Sequence, residues 1–138
     1  MRLEPLYRLT FRYHEAFRSG GEGLLLARGR CEGRLAGRLA GANRYRRRHD
    51  GTYLPVLEAA VETESGATVL LRLRGYGRPE DEPVGRVLVA ITHSTADEDL
   101  VWLNDALGVG GGEVREGREI VIDVEQAVWE PLLGTMTE

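Results

Sequence analysis

Hydrophobic and polar residues alternate with a period of two through much of this chain. Over residues 6–13, Tyr7, Leu9, Phe11 and Tyr13 share one face, while Arg8, Thr10 and Arg12 share the other. Successive strand side chains point to opposite faces, so this predicts a half-buried strand. Ser19-Gly20-Gly21-Glu22-Gly23 punctuates, and Leu24-Leu25-Leu26 opens the next strand. Over residues 29–41 a glycine stands at every fourth position: Gly29, Gly33, Gly37 and Gly41. Read as one strand, the segment puts these glycines with Cys31, Leu35 and Leu39 on an apolar or bare face. Arg30, Glu32, Arg34 and Arg38 fall on the opposite face with Ala36 and Ala40. Each interior glycine would cost a helix about 1 kcal/mol relative to alanine, so strand is predicted. Inward glycines let a sheet coil sharply enough to close. They also leave interior space that a guest molecule could fill.

Further strands are predicted at residues 43–48, 53–63, 67–75, 84–94, 100–104 and 118–128. His49-Asp50-Gly51, Glu64-Ser65-Gly66 and Arg115-Glu116-Gly117 read as turns. Residues 78–83 read as an exposed loop, acidic and broken by Pro79 and Pro83. About nine strands and no amphipathic helix point to an all-β antiparallel barrel, with a sandwich as the rival. The chain of 138 residues fits a single domain over 1–138.

Composition adds little except in charge. No apolar stretch approaches the roughly 20 residues a membrane helix needs. Met1-Arg2-Leu3-Glu4-Pro5 lacks the apolar core of a signal peptide, and the lone Cys31 cannot form an internal disulfide. Together these predict a cytoplasmic protein without a membrane partner. Every cationic side chain is arginine. Residues 1–50 hold 12 Arg against 5 Asp or Glu; the remainder hold 6 against 17, giving the net charge of −4. Guanidinium forks suit bidentate pairing with carboxylates. The two charge blocks could therefore pair within one molecule or across a homo-oligomer contact.

Several stretches occur in an ordered set. They run from Gly29-Arg30-Cys31-Glu32-Gly33-Arg34-Leu35-Ala36-Gly37 through Gly41-Ala42-Asn43 and Arg48-His49-Asp50-Gly51. Residues 58–67, the strand ending at Gly75, Thr92, Val101-Trp102-Leu103-Asn104 and Val121-Ile122-Asp123-Val124 follow. In order and approximate spacing this set resembles the DUF3237 family of small bacterial and fungal proteins. The resemblance implies a calycin- or lipocalin-like antiparallel barrel. Such barrels recur in natural-product pathways as cyclases and isomerases without a cofactor. The chain departs from the family at Asn43, where an acidic residue is usual, and in a shorter segment between Gly75 and Thr92.

The polar residues at matching positions are Asn43, Arg48, Asp50, Glu58, Arg74, Thr92, Trp102 and Asn104. Burial raises a carboxylate's pKa toward neutrality, which makes Glu58 and Asp50 the candidate catalytic acid or base. Arg48, Arg74 and Asn43 could stabilise an enolate or alkoxide as charge develops. Trp102 would supply a stacking wall, and Thr92 and Asn104 further ligand contacts. The bland alternatives are a structural ion pair with an arginine of the first half for Glu58, a turn role for Asp50, a strand-end or turn role for Asn104, and core packing for Trp102. His14, His49 and His93 show no metal-ligand spacing with Cys31 or a carboxylate, so no metal is expected. Gly108-Val109-Gly110-Gly111-Gly112 lacks the Lys-Ser/Thr and helix of a phosphate loop and reads as a β-turn or bulge. No cofactor is predicted. The run Asn43-Arg44-Tyr45-Arg46-Arg47-Arg48-His49 could track a nucleic-acid backbone, but an acidic chain with one aromatic there argues against it. The leading expectation is a barrel that binds a small organic ligand in its mouth, with an acid–base cyclase or isomerase as the enzymatic form. A non-enzymatic module that forms a homo-oligomer is the alternative.

Overall fold

The computed structural model describes residues 1–79 and 85–132. Nine strands follow in order: β1 (Arg2–Ser19), β2 (Glu22–Gly33), β3 (Gly37–Arg47), β4 (Tyr53–Leu54), β5 (Val56–Glu62), β6 (Thr68–Pro79), β7 (Gly85–Ser94), β8 (Leu107–Val114) and β9 (Ile120–Val128). Apart from β4 and β5, consecutive strands pair antiparallel, and β9 returns to β1, closing the sheet. Strands β4 and β5 share one place between β3 and β6, so the ring has eight positions. Closure leaves no sheet edge to pair with another chain. No helix among the described residues is long and apolar enough to cross a membrane.

The break between β4 and β5 falls at Pro55, which has no N–H to give a ladder. Two bulges reset the alternation along β1. Leu6 is the extra residue of one and His14 of the other, where the register jumps from Tyr13 opposite Ala27 to Glu15 opposite Leu26. A one-residue shift exchanges the faces of everything beyond it. From Tyr7 to Tyr13 the odd residues face inward; beyond His14 it is Ala16 and Arg18, opposite the inward Leu25 and Gly23.

Residues 29–41 form two strands rather than one. Gly33, at φ +137°, ends β2, and the Arg34 N–H bonds the Leu6 carbonyl. The chain then turns, driving Leu35 into the interior. The glycines of this segment are sites of close approach. A Cβ on Gly29 would overlap the Thr10 carbonyl oxygen and the Phe11 backbone; one on Gly41 would lie 2.6 Å from the Ala59 Cα. Residues 108–112 are likewise neither turn nor bulge but the body of β8, whose inward Gly110 and Gly112 crowd the β9 backbone. Residues 100–104, expected as a strand, instead cap and begin a short 3-10 helix, Val101–Asp105, in the β7–β8 connection. The predicted loop at 78–83 falls mostly within 80–84, outside the described residues.

The core occupies one half of the barrel. Leu9, Leu39, Val61, Val69 and Ile91 form its centre, and Leu35, Leu103 and Ala106 plug the end where the β2–β3 and β7–β8 connections lie. Outside, arginines of the first third meet acids of the last. Arg8 grips Asp123 through two hydrogen bonds at 2.6 and 3.1 Å, Arg2 meets Glu130 at 2.9 Å, and Arg12 approaches Glu119 at 3.8 Å. The charge blocks thus pair within one molecule, across the β1–β9 seam.

Candidate functional site: the open mouth of the barrel

At the end opposite the plug, the interior opens into a cavity of about 650 Å³. Phe11, Leu25, Leu57, Leu73, Val89 and Ile122 form its apolar wall, each an inward residue one or two steps above the core. The polar wall is built by β1, β3 and β4. Tyr13 and Asn43 face each other across it, with the Asn43 amide donating to the Tyr13 hydroxyl at 2.9 Å. The Asn43 Oδ1 accepts the Val56 N–H at 3.0 Å, supplying a partner for the backbone group just after Pro55. Burial pushes the Tyr13 phenol above its ordinary value, against the opposing effect of the Asn43 bond. Higher up, Tyr45 packs against Tyr53 with ring centroids 5.5 Å apart.

The rim is basic. Arg18, Arg78, Arg86, Arg115 and Arg118 line the mouth, and no Asp or Glu does so among the described residues. Arg18 is there because the His14 bulge turned it inward, and its Nε donates to the Tyr45 hydroxyl at 3.2 Å. Arg118 sits in the turn from β8 to β9 with φ +62°, the only non-glycine left-handed residue among those described.

Of the eight candidates from the sequence, the structure brings only Asn43 into this cavity. Glu58 lies on the outer face, where its carboxylate accepts from Arg72 at 3.2 Å. Arg74 and Thr92 also point outward. Their outward parity follows from Leu57, Leu73 and Ile91 being the inward neighbours. Asp50 and Arg48 belong to the exposed β3–β4 turn; Asp50 Oδ1 accepts the Thr52 N–H at 2.9 Å, and Arg48 meets Asp50 at 3.3 Å. The Thr52 bond, with help from Arg48, holds the Asp50 carboxyl below the usual range, opposite to what a buried general base needs. Trp102 and Asn104 sit at the plugged end. Trp102 packs on the core beneath Arg34, whose guanidinium lies 4.4 Å from the ring centroid. Asn104 ties the connection by bonding both the N–H and the carbonyl of Thr95, at 2.8 and 3.0 Å. Two other arginines of the basic run have surface partners: Arg44 lies 3.6 Å from Glu22, and Arg47 lies over Tyr53.

One buried pair was not singled out from sequence. His93 Nδ1–H donates to the Ala106 carbonyl at 2.9 Å, which leaves Nε2 to accept the Tyr7 hydroxyl at 2.6 Å. The signal was parity: His93 follows Val89 and Ile91 on the inward face of β7. Burial lowers the His93 pKa, so as pH falls the unfolded chain takes up that proton first. Stability is then full above about pH 6.5 and declines below it, by at most about 1.4 kcal/mol per pH unit. Urea midpoints measured downward from neutral pH should show that decline, and His93→Gln should flatten it. Cys31, buried nearby, donates to the Leu35 carbonyl at 3.2 Å, and burial, reinforced by Glu32, pushes its thiol up to about 12. It is a core residue, not a nucleophile. No group of His, Cys, Asp and Glu among the described residues could hold a metal ion.

Fold and site together define a closed, meandering antiparallel barrel, plugged at one end and open at the other. No protein-family model and no curated protein sequence matches the chain. Solved structures do. A β-barrel-like protein from Acinetobacter baumannii superposes with a TM-score of 0.80 at 21% identity, over 91% of this chain and 94% of its own. A conserved protein of unknown function from Rhodopseudomonas palustris gives 0.80 at 22%, over 92% and 97%. An enzyme from Penicillium herquei gives 0.69 at 21%, over 91% and 92%. These likenesses establish the fold.

Proposed function

We propose that this protein binds a small, largely apolar organic molecule in the open mouth of its barrel. The observation that carries this is the cavity of about 650 Å³, apolar below and polar on one side, in a fold whose other half is densely filled. Ligand pockets commonly combine such apolar walls with a few placed polar groups. The four-residue glycine beat supports the cavity only indirectly, since Gly29, Gly33, Gly37 and Gly41 do not line it. They bend the sheet that encloses it. Val87 is a half-buried wall residue on β7, so Val87→Trp should fill the space without disturbing the core. A neutral fluorescent probe, N-phenylnaphthylamine, is expected to bind the native protein. Val87→Trp should lower that affinity about tenfold or more while leaving the circular dichroism unchanged. Equal binding by both proteins would remove the mouth as the site.

A second reading, cofactor-independent cyclisation or isomerisation in the same cavity, is favoured by the Arg18–Tyr45 pair. A phenol hydrogen-bonded to a guanidinium can donate to an oxyanion as it forms. The resemblance to DUF3237 proteins and the enzyme among the fold neighbours support this reading. Glu58 and Asp50 have no part in it, because neither reaches the cavity. Tyrosine and arginine would carry the chemistry in their place.

A further inference from the structure

We infer that the molecule bound in the mouth is an organic anion, with its acidic group at the rim and its apolar body pointing down toward Leu57 and Leu73. This rests on the mouth being a ligand site and adds the chemical class of the ligand. On the outer face several arginines stand beside carboxylates, Arg8 with Asp123, Arg38 with Glu62 and Arg72 with Glu58, while Arg28, Arg46 and Arg74 there point singly into solvent. At the rim, guanidiniums instead converge on one apolar cavity. Arg18 bonds only a neutral phenol, and Arg78 and Arg118 have no carboxylate partner among the described residues. Arg115 shares Glu113 at 3.1 Å, and Arg86 has a partner of its own, so neither is needed for the inference. Three guanidiniums around an apolar, low-dielectric cup form a receptor for a carboxylate, sulfonate or phenolate. The chain as a whole is acidic, at −4, so the attraction is local to the mouth rather than a general property of the surface.

A second observation concerns Arg118 alone. Its left-handed φ of +62° is a conformation that glycine adopts without strain and arginine does not. Gly117, just before it, is also left-handed. A turn built for glycine carries an arginine where its side chain lines the mouth. Backbone stability would favour Arg118→Gly, so the arginine stands there at a backbone cost.

The test uses a pair of probes that share a ring system. Anilinonaphthalene sulfonate is the anionic member, and N-phenylnaphthylamine is its neutral counterpart. The native protein should bind the anion about tenfold or more tightly than the neutral probe, with a preference that weakens as salt rises. Arg118→Gly should erase most of that preference, leave neutral-probe binding in place, and keep or raise the thermal midpoint. Arg18→Gln should also reduce the preference. Equal binding of both probes by the native protein, or an unchanged ratio in Arg118→Gly, would overturn the anion inference and leave the mouth as a ligand site. Binding of neither probe, or binding insensitive to Val87→Trp, would overturn the site itself and the inference with it.

Discussion

Gly29→Val is expected to prevent the barrel from closing. The residue faces inward on β2, where β1 crosses so closely that the Thr10 carbonyl and the Phe11 backbone occupy the place of a side chain. These are backbone atoms in a ladder, so they cannot swing aside as a side-chain tip could. Accommodation would require breaking the pairing of Phe11 with Gly29 and of Phe11 with Ile120 behind it. The loss should exceed about 4 kcal/mol, a large share of the 5–15 kcal/mol that holds a domain folded. Gly111→Val is the matched control. Gly111 belongs to an equally glycine-rich strand but faces outward, with only the Leu88 side chain at 3.5 Å and the Val87 carbonyl at 3.9 Å nearby. Valine suits an exposed strand position, so the control should change stability by less than about 1 kcal/mol. Urea unfolding followed by near-ultraviolet circular dichroism separates the two. A Gly29→Val protein with the native midpoint would show that β1 and β2 do not approach as described.

The same glycines show what the amino-acid sequence made legible. Alternation identified the inward set of β1, and Tyr7, Leu9 and Phe11 are indeed buried. It also put Gly29 with Cys31 and Leu39 on one face and pointed to a closed antiparallel barrel. The expected strand number matches the observed nine, although membership differs: residues 101–104 are helical, β8 replaces the expected glycine turn, and Pro55 splits one strand. The lost information was mostly parity. Glu58, Arg74 and Thr92 alternate with inward residues, so applying the period-two rule at 58, 74 and 92 would have placed them outside. Arg18 was harder, because its inward direction depends on the His14 bulge, and nothing local in Tyr13-His14-Glu15 announces an extra residue. Trp102 and Asn104 lie at the far end of the cup. Which end of a barrel is open depends on how the connections pack, and that is not a property of any single segment.

Asn43→Leu should cost about 2–4 kcal/mol, although leucine is close in volume and more apolar. The reason is the strand break at Pro55. Proline interrupts the ladder, and the Val56 N–H that follows bonds the Asn43 side chain at 3.0 Å instead of a backbone carbonyl. Leucine would leave that part-buried donor without a partner and remove the 2.9 Å bond to Tyr13 as well. An unsatisfied buried group forfeits its full hydration, so the loss should exceed that of an ordinary hydrogen bond. Asn43→Asp distinguishes this bracing role from simple packing. An aspartate can still accept the Val56 N–H, and Tyr13 can turn its hydroxyl to donate. Asp should therefore retain more stability than Leu in urea unfolding at neutral pH. It should also lower affinity for anilinonaphthalene sulfonate, because it sets a carboxyl inside a cavity otherwise ringed by guanidiniums. If Asn43→Leu proved as stable as the native protein, the brace across the strand break would be wrong. If Asn43→Asp left anion binding untouched, the anionic group would not sit in the same electrostatic field as the rim.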